Sequence, residues 1–187
     1  MALSAANYSN INLLKPLARL GDGIYLFVAL KALDSGDIDT AVLCLEAGLQ
    51  FETNILYIRR IRSLLVELYY ARNNVQEILT VTNIQENVDP RNTLTHTEKL
   101  FRARALRDLY LFAESYKLWT EIKKNKPSNI SSYEIEEALL EALAGIDADI
   151  NKNAIQETLE YLLDAPRSTA LTQALERLLV FTGFTPA

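Results

Sequence analysis

Apolar residues recur every three or four positions along most of the chain, in segments that polar turns divide into consecutive pairs. In the clearest pair, Leu100 to Tyr110 forms the first apolar stripe and Phe112 to Ile122 forms the second. This spacing places apolar side chains on one face of an α-helix. Thr95-x-x-Glu98 and Ser131-x-x-Glu134 are capping boxes, a sequence signature of a helix start. The pattern predicts an all-α chain built from antiparallel helix pairs.

Three prolines divide these helix pairs at nearly constant spacing. Pro90, Pro127 and Pro166 lie 37 and 39 residues apart, and each is followed within two positions by Asn or Ser. Proline cannot continue a helix, whereas Asn and Ser start one well, so the recurring phrase indicates junctions between stacked repeats. The predicted repeats lie within a single domain, 1–187, and cover 22–53, 54–90, 91–127 and 128–166. We expect a leading segment, 11–20, and a capping helix, 168–182, to flank them.

Polar residues also mark the turn inside each pair. Gly36 can adopt the left-handed conformation that ends a helix, and Asp37 can cap the next one. Asn73 is expected in the second turn, and Gly145 in the fourth. Beyond each turn, one mostly small residue recurs at steps of 37, 37 and 39, which lets two helices approach closely. These equivalent residues are Ala41, Ile78, Ser115 and Ala154.

Composition narrows the class of protein. Hydrophobic residues make up 49% of the 187 residues, enough for a sizeable core, and the net charge of −5 argues against a general nucleic-acid binder. The one cysteine, Cys44, cannot form an internal disulfide, and we expect it to be a small buried packing residue. The first residues lack the basic region of a signal peptide, and no apolar run approaches the roughly 20 residues that span a bilayer. We therefore expect a cytoplasmic protein without membrane insertion.

The turns and linkers resemble those of the tetratricopeptide-repeat family. Gly36-Asp37-Ile38-Asp39-Thr40-Ala41 is similar to that family's turn between paired helices, as is Phe112-Ala113-Glu114-Ser115 in a later copy. Asp89-Pro90-Arg91-Asn92 and Lys126-Pro127-Ser128-Asn129 resemble its linker between units. The period here exceeds that family's length of about 34 residues, and Ile78 stands where a small residue is expected. The resemblance implies a tetratricopeptide-like right-handed solenoid of antiparallel helix pairs with terminal capping helices.

The resemblance also implies a concave groove lined by the first helix of each pair, in which a protein or peptide partner binds. Carried over by position, the partner-binding residues are Arg60, Ser63, Glu67, Tyr70, Thr97, Leu100, Arg104 and Arg107. The outer repeats contribute mostly apolar residues, namely Leu26, Leu30, Leu139 and Leu143. The implied function is that of a non-catalytic scaffold, adaptor or chaperone that holds a peptide or a partner helix.

Two groups of arginines fall on the middle first helices. They are Arg59, Arg60 and Arg62 in one helix, and Arg102, Arg104 and Arg107 in the next. A planar guanidinium binds carboxylates in a bidentate manner, so one interpretation is a basic patch that receives an acidic segment of the partner. The other interpretation is a solvated face whose charges are balanced within the hairpins, for example by Glu67 and Asp108.

The sequence offers little for catalysis, and we expect no metal and no cofactor. His96 is the only histidine, which leaves no set of clustered His and Cys ligands for zinc, and glycine-rich phosphate loops are absent. Four glutamates on one predicted helix are interpreted as a mostly solvated face. They are Glu134, Glu136, Glu137 and Glu141.

Two alternatives stay open. Arg91 and His96, five residues apart, resemble the active-site signature of the all-helical HEPN ribonucleases, which implies that Arg91 stabilises the phosphate and His96 assists attack by a 2′-hydroxyl. The second alternative is a homo-oligomeric structural component in which the apolar ends of the stack pair with one another.

Overall fold

The computed structural model of the protein describes Ile11, residues 13–84, 93–125 and 130–147, and the separate positions 155–157, 160, 162 and 172. Three predicted features lie outside the described residues: Ala154, the prolines that divide the repeats and, apart from position 172, the capping helix. The chain divides into two compact units, Met1–Arg102 and Ala103–Ala187. All regular elements in the described ranges are helical, which confirms the predicted all-α class.

The helices follow the apolar stripes. After a short 3₁₀ helix, Lys15–Leu20, the elements are α1 (Ile24–Asp34), α2 (Ile38–Phe51), α3 (Ile55–Ala71), α4 (Val75–Val81), α5 (His96–Asp108), α6 (Phe112–Asn125) and α7 (Ser132–Asp147). In the first unit, α1 packs against α2, α2 against α3 and α3 against α4, and α1 also contacts α3. In the second unit, α6 packs against α7. None of the helices in the described part of the chain combines the length and the apolar character that a membrane crossing requires.

One helix-ending turn recurs three times with the same geometry. Gly36, Asn73 and Tyr110 have positive φ angles of 79°, 58° and 58°, and they lie 37 residues apart. In each turn the left-handed residue donates its N–H to the carbonyl three positions back, at 3.0 Å. The next residue donates to the carbonyl five positions back, at 2.8 to 2.9 Å. This pair of bonds is the Schellman motif, which satisfies carbonyls that a helix end leaves free. Three turns spaced 37 residues apart therefore share one hydrogen-bonding pattern.

Burial recurs at the same interval. Ala41, Ile78 and Ser115, predicted to be equivalent, are all completely buried just inside the helix that follows each turn. On the preceding helices, Ala29, Val66 and Ala103 occupy equivalent positions and are also completely buried. Side chains of different size thus fill corresponding places in successive hairpins.

Two helical glycines permit close helix packing. A Cβ atom added at Gly48 in α2 would lie 2.7 Å from Ile61 Cδ1 and 2.9 Å from Tyr25 Cβ. A Cβ at Gly145 would lie 2.3 to 2.4 Å from ring atoms of Phe112 in α6. The expectation that Gly145 marks a turn is wrong, because α7 continues to Asp147. The glycine instead makes room for the aromatic ring of the neighbouring helix.

Candidate protein-binding face

The described residues of the first unit place one predicted arginine in the interior rather than on a basic surface. Arg62 is 2% exposed, and its Nε donates to Oε1 of the fully buried Glu98 at 2.8 Å. Its second guanidinium nitrogen reaches Glu98 Oε2 at 3.3 Å and the carbonyl oxygen of Thr93 at 3.2 Å. The interpretation that Arg62 belongs to an exposed patch is therefore wrong. The side chain joins α3 to the start of α5.

Glu98 serves this ion pair and the helix start at once. The N–H of Thr95 donates to Glu98 Oε2 at 2.7 Å, and the N–H of Glu98 donates to Thr95 Oγ1 at 3.2 Å. This reciprocal pair is the capping box that the sequence predicted. The hydroxyl of Ser63, a predicted partner-binding residue, also donates to Glu98 Oε1 at 3.2 Å. Ser63 is therefore engaged inside the unit.

The other predicted partner-binding residues of the first unit differ in exposure. Arg60 and Glu67 are exposed on α3, whereas Tyr70 and Thr97 are half-buried and Leu100 is buried. The ring of Tyr70 packs against that of Phe101 with centroids 5.2 Å apart. Of this set, Arg60 and Glu67 are the side chains most accessible to a partner.

The predicted partner-binding arginines of the second unit are held by carboxylates of α7. Arg104 donates to both oxygens of Glu134, at 2.7 and 3.0 Å. Arg107 Nε lies 3.9 Å from Glu141 Oε2 and 3.8 Å from Asp108 Oδ1. Each guanidinium therefore already has a carboxylate from its own unit beside it.

The glutamates of α7 do not form the solvated face expected from the sequence. Glu137 is 4% exposed and Glu141 is also buried, while Glu136 forms an ion pair with Lys123 at 2.6 Å. Burial raises the pKa of the Glu137 carboxyl, the charge of Arg107 lowers it, and the charge of Glu134 raises it further. The prediction is wrong for Glu137 and Glu141, which are buried on the side of α7 that faces Arg107 rather than solvent.

Arg102, another member of the predicted basic patch, is also engaged inside the first unit. Its guanidinium donates to Thr82 Oγ1 at 2.8 Å and to the carbonyl of Leu79 at 3.3 Å. Burial lowers the pKa of Arg102, although a guanidinium stays charged at physiological pH. Arg102 thus tethers the end of α4 to α5 within the first unit.

Exposed apolar side chains mark a different surface, on the first helices of the first unit. Phe27 is 58% exposed and Leu30 is 43% exposed on α1, and Leu56 is 70% exposed beside Tyr57 at the start of α3. We call these four residues and Arg60 the α1/α3 face. Of the five, the sequence interpretation singled out Leu30 and Arg60. The sequence does contain a signal for the exposed residues of α1. The segment from Ile24 to Leu30 is apolar around the whole helix, whereas packing against the core requires only one apolar stripe.

The buried carboxylate of Glu52 connects the starts of the two helices that form this face. Glu52 accepts the backbone N–H of Gly23 at 2.7 Å and those of Thr53 and Asn54 at 3.0 Å. Gly23 and Asn54 are the capping residues at the starts of α1 and α3. Because one side chain binds both starts, the two helices are fixed relative to each other where the face begins.

The residues of the ribonuclease alternative are only partly described. His96 is exposed at the first position of α5, and Arg91 lies outside the described residues. In the part of the chain that the structure describes, no three His, Cys, Asp or Glu side chains come together as a metal site. Cys44 is buried as expected, and burial raises the pKa of its thiol.

Comparison of the chain with protein-family models, with curated proteins and with solved structures found no match in any of the three. The features of the chain that bear on its function are therefore the recurring turns and the exposed side chains of the α1/α3 face.

Proposed function

We propose that the protein is a tetratricopeptide-like right-handed solenoid that binds another protein without catalysis, as a scaffold, adaptor or chaperone. The observation that carries this proposal is the Schellman turn repeated at 37-residue intervals, at Gly36, Asn73 and Tyr110. Identical turns give helix pairs of the same shape, and repeats of one shape stack through one kind of interface. A repeated hairpin, rather than a single enclosed cleft, is the architecture of extended binding surfaces.

The packing in the first unit supports the same proposal. Each hairpin buries one side against its neighbour, and the contact between α1 and α3 brings the first helices of successive pairs together. The outer sides of these first helices carry Phe27, Leu30 and Leu56, which remain exposed. Scattered apolar residues are normal on a surface, but a group of large ones on adjacent helices is typical of a site for a protein partner.

Affinity capture from a native extract of the source cells tests this function. We expect wild-type protein to retain one stoichiometric protein partner, identified by mass spectrometry, and the Phe27→Ser/Leu56→Ser variant to lose it. Ile146→Ser is a matched control, because Ile146 is a similarly exposed apolar residue in the second unit. Circular dichroism spectra and melting curves should show that all variants remain folded.

Other outcomes contradict the proposal. Recovery of RNA, together with ribonuclease activity that His96→Ala abolishes, would establish the catalytic alternative. Capture of only a second copy of this chain, with a concentration-dependent mass in light scattering, would establish the homo-oligomeric structural component.

A further inference from the structure

We infer that the α1/α3 face binds a partner segment in which a carboxylate lies next to apolar side chains, with Arg60 as the residue that receives the carboxylate. This inference rests on the proposed protein-binding function and specifies its partner. It differs from the expectation that Arg104 and Arg107 receive an acidic segment.

The apolar part of the face is built around Gly23. The ring of Tyr57 occupies the space beside Gly23, because a Cβ added there would lie 2.6 Å from Tyr57 Cε1. Phe27 and Leu30 follow Gly23 at four and seven positions, so all three lie on one side of α1. The ring of Tyr57 on α3 therefore extends the apolar stripe of α1, so that the apolar surface covers parts of both helices.

The basic part of the face lies one turn further along. Short connections make α1, α2 and α3 successively antiparallel, so α1 and α3 run in the same direction. From the contact between Gly23 and Tyr57, one helical turn leads to Phe27 on α1 and to Arg60 on α3. Phe27 and Arg60 therefore occupy corresponding positions on the two helices, one turn beyond this contact, and both side chains are exposed.

The charges around this face favour an acidic partner. Among the described residues no carboxylate pairs with Arg59 or Arg60, whereas Lys31 and Asp34 balance each other at 3.6 Å. Glu67 is the exposed acidic residue of α3, and it lies about two turns beyond Arg60. Apolar and basic groups thus share one end of the face, where the exposed carboxylate of Asp22 accepts a hydrogen bond from Asn54 Nδ2 at 3.3 Å. A carboxylate beside apolar side chains complements this arrangement, since an arginine fork binds it in a bidentate manner.

The described arginines of the second unit already lie beside carboxylates. The fork of Arg104 is filled by both oxygens of Glu134, and Arg107 faces Glu141 and Asp108. An incoming carboxylate at Arg104 would have to displace one that is already bound. It would also add charge beside the buried Glu137, so we place the acidic contact on the first unit.

Selection from a displayed library of random peptides, with the purified full chain as bait, tests the inference. We expect enriched peptides to carry Asp or Glu within a few residues of Leu, Ile, Phe or Trp. Their affinity should fall at least about tenfold for Arg60→Glu, because the variant replaces an attraction with a repulsion. Phe27→Ser should weaken the same peptides. Lys117→Glu is the matched control, since it makes the same charge change at an exposed position of the second unit and should leave binding unchanged.

The outcomes separate this inference from the proposed function. Enriched peptides without acidic residues, or acidic peptides that bind Arg60→Glu as well as wild type, would overturn the inference and leave protein binding in place. A library that yields no binder, together with a failure to capture any protein from the native extract, would overturn both. Enriched peptides that match an exposed segment of this chain would contradict a separate partner and point to self-association.

Discussion

The two units use arginine and glutamate in contrasting ways. In the first unit, Arg62 and Glu98 form a pair that is almost completely removed from water. In the second unit, Arg104 and Glu134 form a pair that keeps 22% and 24% of each side chain exposed. A buried pair must stay complete, because either partner alone is a buried charge without compensation, whereas water can still solvate the charge that remains when a partly exposed pair loses one partner.

This contrast also decides which arginines can bind a partner. Because Arg62 is buried with Glu98, Arg60 is the exposed arginine of α3. It lies on the same face as the exposed apolar residues. In the second unit, the carboxylates of α7 occupy the exposed guanidinium of Arg104. The lesson is that an arginine cluster in a sequence is not a basic surface until its carboxylate partners are located.

The largest expected effect comes from breaking the buried pair. We expect Glu98→Ala to lower the free energy of unfolding by about 3–5 kcal/mol, because it strands Arg62 and removes a helix cap. The matched change in the second unit, Glu134→Ala, should cost about 1 kcal/mol or less. Urea unfolding followed by circular dichroism measures both variants, and the fluorescence of Trp119, the only tryptophan, reports the second unit.

Two results would break this comparison. Equal losses for Glu98→Ala and Glu134→Ala would show that burial does not distinguish the pairs. A loss for Arg62→Met/Glu98→Leu as large as that for Glu98→Ala would also contradict it, since the double variant leaves no stranded charge.

A smaller effect should come from filling the space at Gly145. Gly145→Val places a side chain where the Phe112 ring lies, and we expect a loss of about 1–3 kcal/mol from overpacking. The fluorescence of Trp119, which lies on the same helix as Phe112, should report the loss. Combining the change with Phe112→Ala should cost less than the sum of the two single changes. Additive losses would show that the two side chains do not compete for the space.

The repeated turn predicts an effect of about 1 kcal/mol. Gly36→Ala meets no atom within 4 Å, so its cost arises from forcing alanine into the left-handed region. Asn73→Gly, in the equivalent turn, should change stability by only a few tenths of a kcal/mol, since asparagine tolerates this conformation. Thermal melting of both variants measures the difference. A Gly36→Ala variant as stable as wild type would show that the left-handed turn is not retained in solution.

The smallest expected effect is a pH dependence in the second unit. Burial raises the pKa of Glu137 above its ordinary value of 4.5, with Arg107 opposing the shift and Glu134 adding to it. The folded state therefore binds a proton more tightly than the unfolded state, and stability falls as pH rises above that value. We expect Glu137→Gln to unfold at higher urea concentration than wild type at neutral pH, with less difference near pH 4.5. A difference that does not change with pH would contradict this assignment.

Short sequence patterns at helix ends predicted much of the fold. The capping box of Thr95 and Glu98 and the turns at Gly36 and Asn73 depend on neighbouring residues, and the structure confirms them. The left-handed conformation of Tyr110 could not be foreseen from its residue type, because an aromatic residue rarely adopts it. Here the recurrence at 37 residues identifies the turn although the residue type does not.

Side-chain pairings between segments that are far apart along the chain could not be predicted from the sequence. Arg62 and Glu98 are 36 residues apart, and the buried Glu137 lies within electrostatic range of Arg107, 30 residues away in the sequence. Helical periodicity assigns a residue to a face but does not say which charged residue of another helix lies opposite. For that reason the groove residues were predicted by position, while their internal partners and the exposed apolar residues of the α1/α3 face required the structure.

The most direct test of protein binding at the α1/α3 face is amide chemical-shift mapping on the isotope-labelled full chain, titrated with a peptide enriched in the display selection. We expect the largest changes at Phe27, Leu30, Leu56, Tyr57 and Arg60, and their loss in the Arg60→Glu variant. Largest changes around Arg104 and Arg107, persisting in Arg60→Glu, would contradict the assignment of the binding site to the first unit.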